Sequence, residues 1–523
     1  MKISKKYIAV CALTAVVGFT SCDDYLDKLP DNRMELKDGD DVSDLLVSAY
    51  PTHHPAYLLE MYSDNADNYD VTGWTAYDQF QREAFEWRDI TDVSEDESPQ
   101  MLWQNYYAAI ASANQALQFI EQQGNSPEYN AQRGEALMCR AYSEFMLANI
   151  FCNAYNESTA ANELGVPYPT EPETHVGTVY DRGTLKDTYD KINADIEEAL
   201  PLVQDQYKQP KYHFTKNASY AFASEFNLYY GNYAKAIQYA DRVLGSNPAG
   251  VLRDWNAFYS LSANDQVAPN AYINSSEGAN LLLITFYSNW GAISYGGYQI
   301  GLKYAHGQLL SRNEDLQSQA AWGNNANMGY QVWSNSAVST YFINKLPYAF
   351  EITDQQAQIG LPHSTIPVFT TDGTLLFRAE AKALNGDING AVEDLSTELS
   401  AISAGRFSVT LQQLVNFYNR TATYTPQNPT PYKKLNPVFG SLNDQQTAVI
   451  DAILQLRRIM TLGEGQRMQD VKRYGIVIYR RTLNRGNNVI GVTDSLTVDD
   501  PRRAIQLPQD VISSGMTANP RNK

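Results

Sequence analysis

Gly231-Asn-Tyr-Ala-Lys-Ala-Ile-Gln-Tyr-Ala-Asp-Arg-Val-Leu-Gly-Ser-Asn-Pro248 is the stretch that decides the fold. The glycine permits a tight turn between helices, Tyr233 and Ala236 fall where they pack against a preceding helix, and Pro248 ends the unit. That pattern is the second half of a tetratricopeptide helix pair. It recurs as Ala381-Lys-Ala-Leu-Asn-Gly-Asp-Ile-Asn-Gly-Ala-Val-Glu-Asp-Leu395, behind a helix expected over Thr374 to Leu384. Upstream, Leu185, Tyr189, Ile192, Ile196 and Leu200 form an amphipathic stripe stopped by Pro201. Ser98-Pro99 and Ser126-Pro127 each read as a capped helix start. Trp103, Tyr106, Tyr107, Ile110 and Leu117 follow the first at helical spacing, and Leu137, Ala141, Phe145 and Phe151 follow the second. Helix pairs are therefore expected near 99–151, 185–244 and 374–400, with a last helix over Gln445 to Gly463. The fold class is mostly α, a tetratricopeptide-like helical repeat scaffold with a large irregular loop-rich region near 252–366.

The chain opens on Lys2, Lys5 and Lys6, an apolar run from Tyr7 to Phe19, and small residues leading into Cys22. The run is short for a bilayer span and has the make-up of a lipoprotein signal, so 1–21 reads as a signal peptide and Cys22 as the lipidated first residue. Several acyl chains make such an anchor stable where one would be marginal. Residues 22–44 read as a tether and 45–523 as one globular domain. The formal charge of −19 becomes −22 once the three signal lysines leave, which makes nucleic acid an unfavourable partner and leaves neutral ligands open. Cys139 and Cys152 fall in one expected helix, about 20 Å apart at 1.5 Å per residue, so they read as small core residues and not as a disulfide.

Enzyme chemistry finds few footholds. His53 and His54 are adjacent and so point apart, and the sequence has no His-Glu-x-x-His, Cys-x-x-Cys, Gly-x-Ser-x-Gly or Walker loop. Asp64, Asp67 and Asp70, with Asn65 and Asn68, offer hard oxygen ligands that calcium accepts, though without the glycine and terminal glutamate of an EF-hand loop. The aromatic loops are more informative, because neutral sugars present flat C–H faces ringed by hydroxyls and are met by exposed rings beside amides and carboxylates. Trp74 and Tyr77 stand in Asn68-Tyr-Asp-Val-Thr-Gly-Trp-Thr-Ala-Tyr-Asp-Gln79. Trp290, Tyr295 and Tyr298 stand in Asn289-Trp-Gly-Ala-Ile-Ser-Tyr-Gly-Gly-Tyr-Gln299, and Trp322 adjoins Asn324 and Asn325. The candidate ligand residues are Asn68, Trp74, Tyr77, Trp290, Tyr295 and Trp322, expected to converge. Trp87, Trp103 and Trp255 are assigned to packing.

The order of these elements, together with Cys22-Asp-Asp-Tyr-Leu-Asp-Lys-Leu-Pro30, Arg140-Ala-Tyr142, Phe377-Arg-Ala-Glu-Ala-Lys-Ala383, Asn385-Gly-Asp387, Glu464-Gly-Gln-Arg-Met-Gln-Asp-Val-Lys-Arg-Tyr-Gly475 and Gln506-Leu-Pro-Gln-Asp510, resembles the SusD/RagB family over nearly the whole chain. Two departures stand out, Leu456-Arg-Arg-Ile-Met-Thr-Leu-Gly463 where the family usually carries acids, and a missing Asn-Pro-Gly-Tyr ending. The resemblance implies a lipid-anchored protein on the outer face of the outer membrane that binds glycans without cleaving them and needs no cofactor. It implies delivery to a TonB-dependent, SusC-like transporter, with the glycan site in the two aromatic loop regions. It also implies a charge-paired turn at Glu464, Arg467 and Asp470 that closes the helical stack. Competing readings are peptide capture on the same scaffold, tuned toward basic peptides by the acidic surface, a surface glycoside hydrolase, and an adapter whose helical groove takes a protein tail.

Overall fold

Ser98 caps the 24-residue helix α1, Pro99–Gln122, its Oγ accepting the Met101 backbone N–H at 3.3 Å, with Pro99 in the first turn where its missing N–H costs no hydrogen bond. The computed structural model describes residues 36–173, 178, 180–261, 266–294, 303–335 and 340–521. The signal segment, Cys22, the start of the tether and the ligand candidate Tyr295 lie outside the described residues. Helix α1 turns Leu102, Trp103, Tyr106, Ile110, Ala113 and Ile120 inward against α2, Asn130–Phe151, whose surface is buried nearly all round. Cys139 and Cys152 are free and buried.

The scaffold continues with α3, Leu185–Ala199, opened by a capping box between Thr184 and Asp187, and with α4, Lys216–Tyr230, and α5, Tyr233–Leu244. Gly231 joins the last two at φ 88°, a conformation that an L side chain resists. Ala236 is wholly buried there, and its carbonyl accepts from Ser224 Oγ of α4 at 2.8 Å. Helix α6, Thr371–Leu384, packs on α5 although the whole of 252–366 lies between them, and α7, Ile388–Ile402, packs on α6. One residue fastens all three: Arg378 of α6 donates to Asp241 of α5 at 2.7 Å and, through two nitrogens, to Asp394 of α7 at 2.9 and 2.7 Å. Helices α8, Asp444–Met460, and α9, Arg467–Arg473, end the series.

Strands fill much of what the sequence leaves irregular. They are β1, Asp67–Tyr69, β2, Asn280–Tyr287, β3, Tyr304–Ala305, β4, Ala349–Asp354, β5, Ile359–Thr370, β6, Ile478–Leu483, and β7, Val489–Leu496. One sheet runs β7-β6-β1-β3 and another β2-β5-β4. The apolar run in β2 is buried on both faces, which is why it reads as a continuous hydrophobic segment. Smaller hairpins join Gln319–Ala320 to Gly323–Asn324, and Val332–Asn335 to Thr340–Ile343.

Two expectations are corrected here. The tether expected over 22–44 does not reach residue 44, because Gly39–Leu46 is a helix that Asp38 caps and that buries Val42 and Leu46 completely. The turn Glu464, Arg467 and Asp470 does not pair with itself. Glu464 meets Lys345 at 2.5 Å, Arg467 meets Asp64 at 2.8 Å, and Asp470 lies 3.6 Å from Arg457. Each residue thus ties the end of the helical series to a different part of the chain.

Candidate ligand-binding site

Strand β1 is three residues long and central in its sheet, parallel to β6 and antiparallel to β3. Such a short strand is held by more than its ladder. Asp67 takes a two-pronged ion pair from Arg481 of β6, with both N···O distances 2.8 Å, and Arg481 also meets Glu314 at 2.8 Å. Asp64, just before it, receives Arg467 at 2.8 Å and Lys433 at 2.6 Å, with Arg458 at 3.8 Å. These cations hold the Asp64 carboxyl well below the ordinary carboxylate range against the opposing push of burial. The calcium expectation is therefore corrected: Asp64 and Asp67 are committed to the protein's own cations, Asn65 Oδ1 accepts from Arg458, and only Asp70 is exposed. Among the described residues no group of three or more His, Cys, Asp or Glu side chains is placed to hold a metal ion.

This anchored strand presents Asn68 and leads to Trp74. Val71 to Trp74 form a turn closed by the Trp74 N–H on the Val71 carbonyl at 3.0 Å, with Gly73 at φ 86° and open space where a Cβ would stand. The turn lays the Trp74 ring against Tyr69, centroids 5.6 Å apart, on the small buried cluster of Tyr69, Ala305 and Leu483, leaving the residue partly exposed. Polar groups stand on both faces of the strand, Asn68 on the face opposite Tyr69. Asn68 donates from Nδ2 to Thr482 Oγ1 at 3.3 Å, and its Oδ1 has no partner among the described residues. Tyr69 OH donates to Asn487 at 3.0 Å, and the Gln308 amide bridges Asn487 at 3.1 Å and the Tyr341 hydroxyl at 2.9 Å. His306 lies beneath, its Nε2 2.9 Å from Asp315, whose charge outweighs the effect of burial and raises the imidazole.

Tyr77 adjoins an acidic cluster that includes Asp78 and Glu95. Burial, then the Asp78 carboxylate, pushes Glu95 up to about 8, and burial with the neighbouring Glu95 pushes Glu97 well above its usual range. Ser288 Oγ donates to Glu97 Oε1, and Glu97 Oε2 has no partner among the described residues.

Two candidate rings are elsewhere, and the expectation that loop tryptophans lack a core to fill is corrected. Trp290 is 7% exposed, stacked on Tyr57 at 4.9 Å, and its Nε1 donates to Gly463 O at 2.7 Å. It walls a cavity of about 60 Å³ with Tyr304, Ala305 and His306, far below the roughly 300–1,000 Å³ of pockets that take small molecules. Ala305 also belongs to the small cluster on which Trp74 packs, so the two tryptophans approach one strand. Trp322 is 7% exposed, in the core, with Nε1 on Asn325 Oδ1 at 2.9 Å, and no contact joins it to Trp74. Trp87 and Trp255 are buried, each 2% exposed, as assigned. The polar set Gln308, Tyr341 and Asn487 escapes sequence reasoning, although Asn484-Arg-Gly-Asn-Asn488 carries a hairpin-turn signal.

Residues 24–228 match a family model for SusD-like proteins described as starch-binding and associating with the outer membrane. Over that stretch the chain is similar to SusD-like proteins. It is 23% identical over 519 residues to SusD-like protein P38 of Formosa agariphila, across 94% of each chain. In structure the chain superposes on a SusD superfamily protein of Bacteroides vulgatus with a TM-score of 0.61 at 17% identity, covering 93% of this chain and 100% of that one. A SusD superfamily protein of Bacteroides thetaiotaomicron gives 0.58 at 20% identity, over 93% and 100%. A SusD-like carbohydrate binding protein of Bacteroides vulgatus gives 0.53 at 16% identity, over 85% of each chain. These are likenesses of fold. Among the described residues no helix is long and apolar enough to cross a membrane.

Proposed function

We propose that the protein captures an oligosaccharide at the cell surface, held there by lipid on Cys22, and passes it to a TonB-dependent outer-membrane transporter. The observation that carries the reading is the partly exposed Trp74 ring packed on Tyr69, whose hydroxyl opens a polar chain through Asn487, Gln308 and Tyr341. A flat apolar face flanked by neutral amides and a hydroxyl matches a sugar's C–H face and its hydroxyls. The family description and the carbohydrate-binding relative support the same ligand class.

Binding without cleavage is the companion proposal. The carboxylates beside β1 are committed to cations, Asp64 to Lys433 and Arg467 and Asp67 to Arg481, whereas a glycosidase needs two carboxylates about 5–9.5 Å apart and available to the substrate. Affinity electrophoresis through gels containing single polysaccharides tests the binding; mobility unchanged in every neutral glycan would defeat it. Reducing ends released from a retarding polysaccharide would replace capture with hydrolysis. Recovery of the chain alone after mild solubilisation of its native host, under conditions where the transporter is expressed, would count against the partnership.

A further inference from the structure

The loop between the helix Gln79–Phe85 and α1 carries Asp92, Glu95, Asp96 and Glu97, and it hangs between two fixed points. It leaves through Trp87, whose φ of 52° is one that a non-glycine residue resists and whose Nε1 donates to Tyr62 O at 2.8 Å. It enters α1 at Ser98, whose N–H donates to Glu95 O at 2.9 Å. Asp89, Thr91, Val93 and Ser94 are exposed, whereas Glu95 is 9% exposed and Glu97 is wholly buried.

The titratable groups that meet these two acids are acids and phenols. Tyr57 comes from the helix Ala56–Tyr62, Tyr77 and Asp78 from the turn ahead of Gln79–Phe85, and Asp92 and Asp96 from the loop itself. Glu83 is already occupied, accepting from Gln79, from Asp92 and twice from Thr91. Among the described residues no lysine or arginine pairs with Asp78, Asp92, Glu95, Asp96 or Glu97, and His53 Nε2 reaches Asp96 only at 3.8 Å, without a hydrogen bond. None of these acids belongs to a described group of three or more His, Cys, Asp or Glu placed for a metal ion. Tyr57 OH, Gln81 Nε2, Glu95 Oε1 and Glu97 Oε2 are buried with no hydrogen-bond partner among the described residues.

A buried carboxylate that meets neither a cation nor a metal sheds its charge by taking a proton. Burial first, and neighbouring carboxylates next, raise both groups, Glu95 to about 8. We propose that loop 88–97 is a proton-held latch, closed while Glu95 and Glu97 are uncharged and swung out about Trp87 and Ser98 once like charges face one another beneath it. Closed, it ties the segment after β2 to the helix behind Tyr77. Ser288 Oγ donates to Glu97 and accepts the Trp290 N–H at 2.9 Å, while the Thr91 N–H docks on Glu83 at 2.7 Å. Because the closed form has the raised acid, closure is favoured fully below about pH 4.5 and is lost as pH rises through about 8.

The test needs no ligand and so stands apart from the function proposed above. Hydrogen exchange of the purified protein is followed by mass spectrometry on peptides spanning 88–98, each rate divided by the unstructured-peptide rate at the same pH so that base catalysis cancels. One acid of pKa about 8 raises the opening constant about tenfold between about pH 7 and pH 9. Protection of the Thr91 and Ser98 amides should therefore fall at least about tenfold, while amides in the middle of α1 keep theirs. Glu95→Gln with Glu97→Gln should hold protection level across that range, and Glu393→Gln, an exposed acid on α7, should fall as the parent does. Should the double variant melt early, Glu95→Gln alone should move the fall to higher pH. Level protection in the parent, an undiminished fall in the double variant, or an equal fall within α1 would each overturn the latch. Protection restored at pH 9 by added calcium would overturn it too, since a metal and not a proton would then hold the loop.

Discussion

Trp74→Ala and Trp290→Ala should part company, one losing ligand and the other losing fold. Trp290 is 7% exposed, stacks on Tyr57 at an interplanar angle of 14°, and donates to Gly463 O. Truncating a core tryptophan costs about 3–5 kcal/mol, and the Gly463 carbonyl left without its donor adds about 1 kcal/mol, for a loss of about 4–6 kcal/mol. Trp74 rests on a small cluster of three buried residues, Tyr69, Ala305 and Leu483, and is itself only partly buried, so its removal should cost only about 1–2 kcal/mol of stability. As the ring under a sugar it should cost about 1–3 kcal/mol of binding, roughly five- to 150-fold in affinity. Urea unfolding followed by circular dichroism gives the first pair of numbers, and isothermal titration with a retarding oligosaccharide gives the second. If Trp74→Ala unfolds as early as Trp290→Ala and the variant still binds with parental affinity, Trp74 is core and the proposed platform is wrong.

Three further outcomes are expected. Glu95, raised to about 8 from an ordinary 4.5, holds its stabilising proton fully below about pH 4.5 and loses it as pH rises through about 8, so its contribution should fall by on the order of 2–4 kcal/mol across that window; Glu95→Gln should flatten that part of a stability-against-pH curve, and an unchanged slope would refute the assignment. Arg458→Met withdraws the cation that meets Glu314 at 3.2 Å, Asp315 at 3.6 Å and Asp64 at 3.8 Å, and should cost about 3–5 kcal/mol in urea titration because the carboxylates stay buried; a loss under 1 kcal/mol would show that water reaches them. Cys22→Ala should abolish incorporation of labelled fatty acid and free the protein from membranes, and persistent labelling would disprove the anchor.

The helical part of the fold is legible because each of its signals is local. Ser98-Pro99 opens α1 where the sequence puts it, and Gly231 makes the turn its neighbours require. Helix stripes need only a dozen residues to declare themselves. The sheets do not, since β1 has three residues and β3 has two, and neither is long enough to show a period. Their pairing joins residues more than 400 positions apart, Asn68 to Thr482 among them, and no window along the sequence contains both partners. The loop tryptophans were misjudged for the same reason. Trp290 and Trp322 lie off every helical stripe, but the strands and turns around them build core of their own, and the Gly463 carbonyl that receives Trp290 arrives from the far end of the chain.

The acidic loop shows how an ionic pattern changes meaning once distant cations are placed. Asp64 and Asp67 offer the hard oxygen ligands that calcium accepts, yet Lys433, Arg458, Arg467 and Arg481 reach them from the last quarter of the chain. Such buried pairs contribute little net stability, because desolvating both charges offsets most of their attraction. What they do provide is position, since a carboxylate held from both oxygens by one guanidinium has a single orientation. Asp67 is held that way one residue before Asn68 and two before Tyr69, on which Trp74 leans. The ligand ring is thus fixed by a strand that is itself fixed by charge, and a ring already in place spares the ordering cost that a mobile loop would incur on binding. Breaking the Asp67–Arg481 pair should therefore weaken oligosaccharide binding even though neither residue is within the proposed contact set.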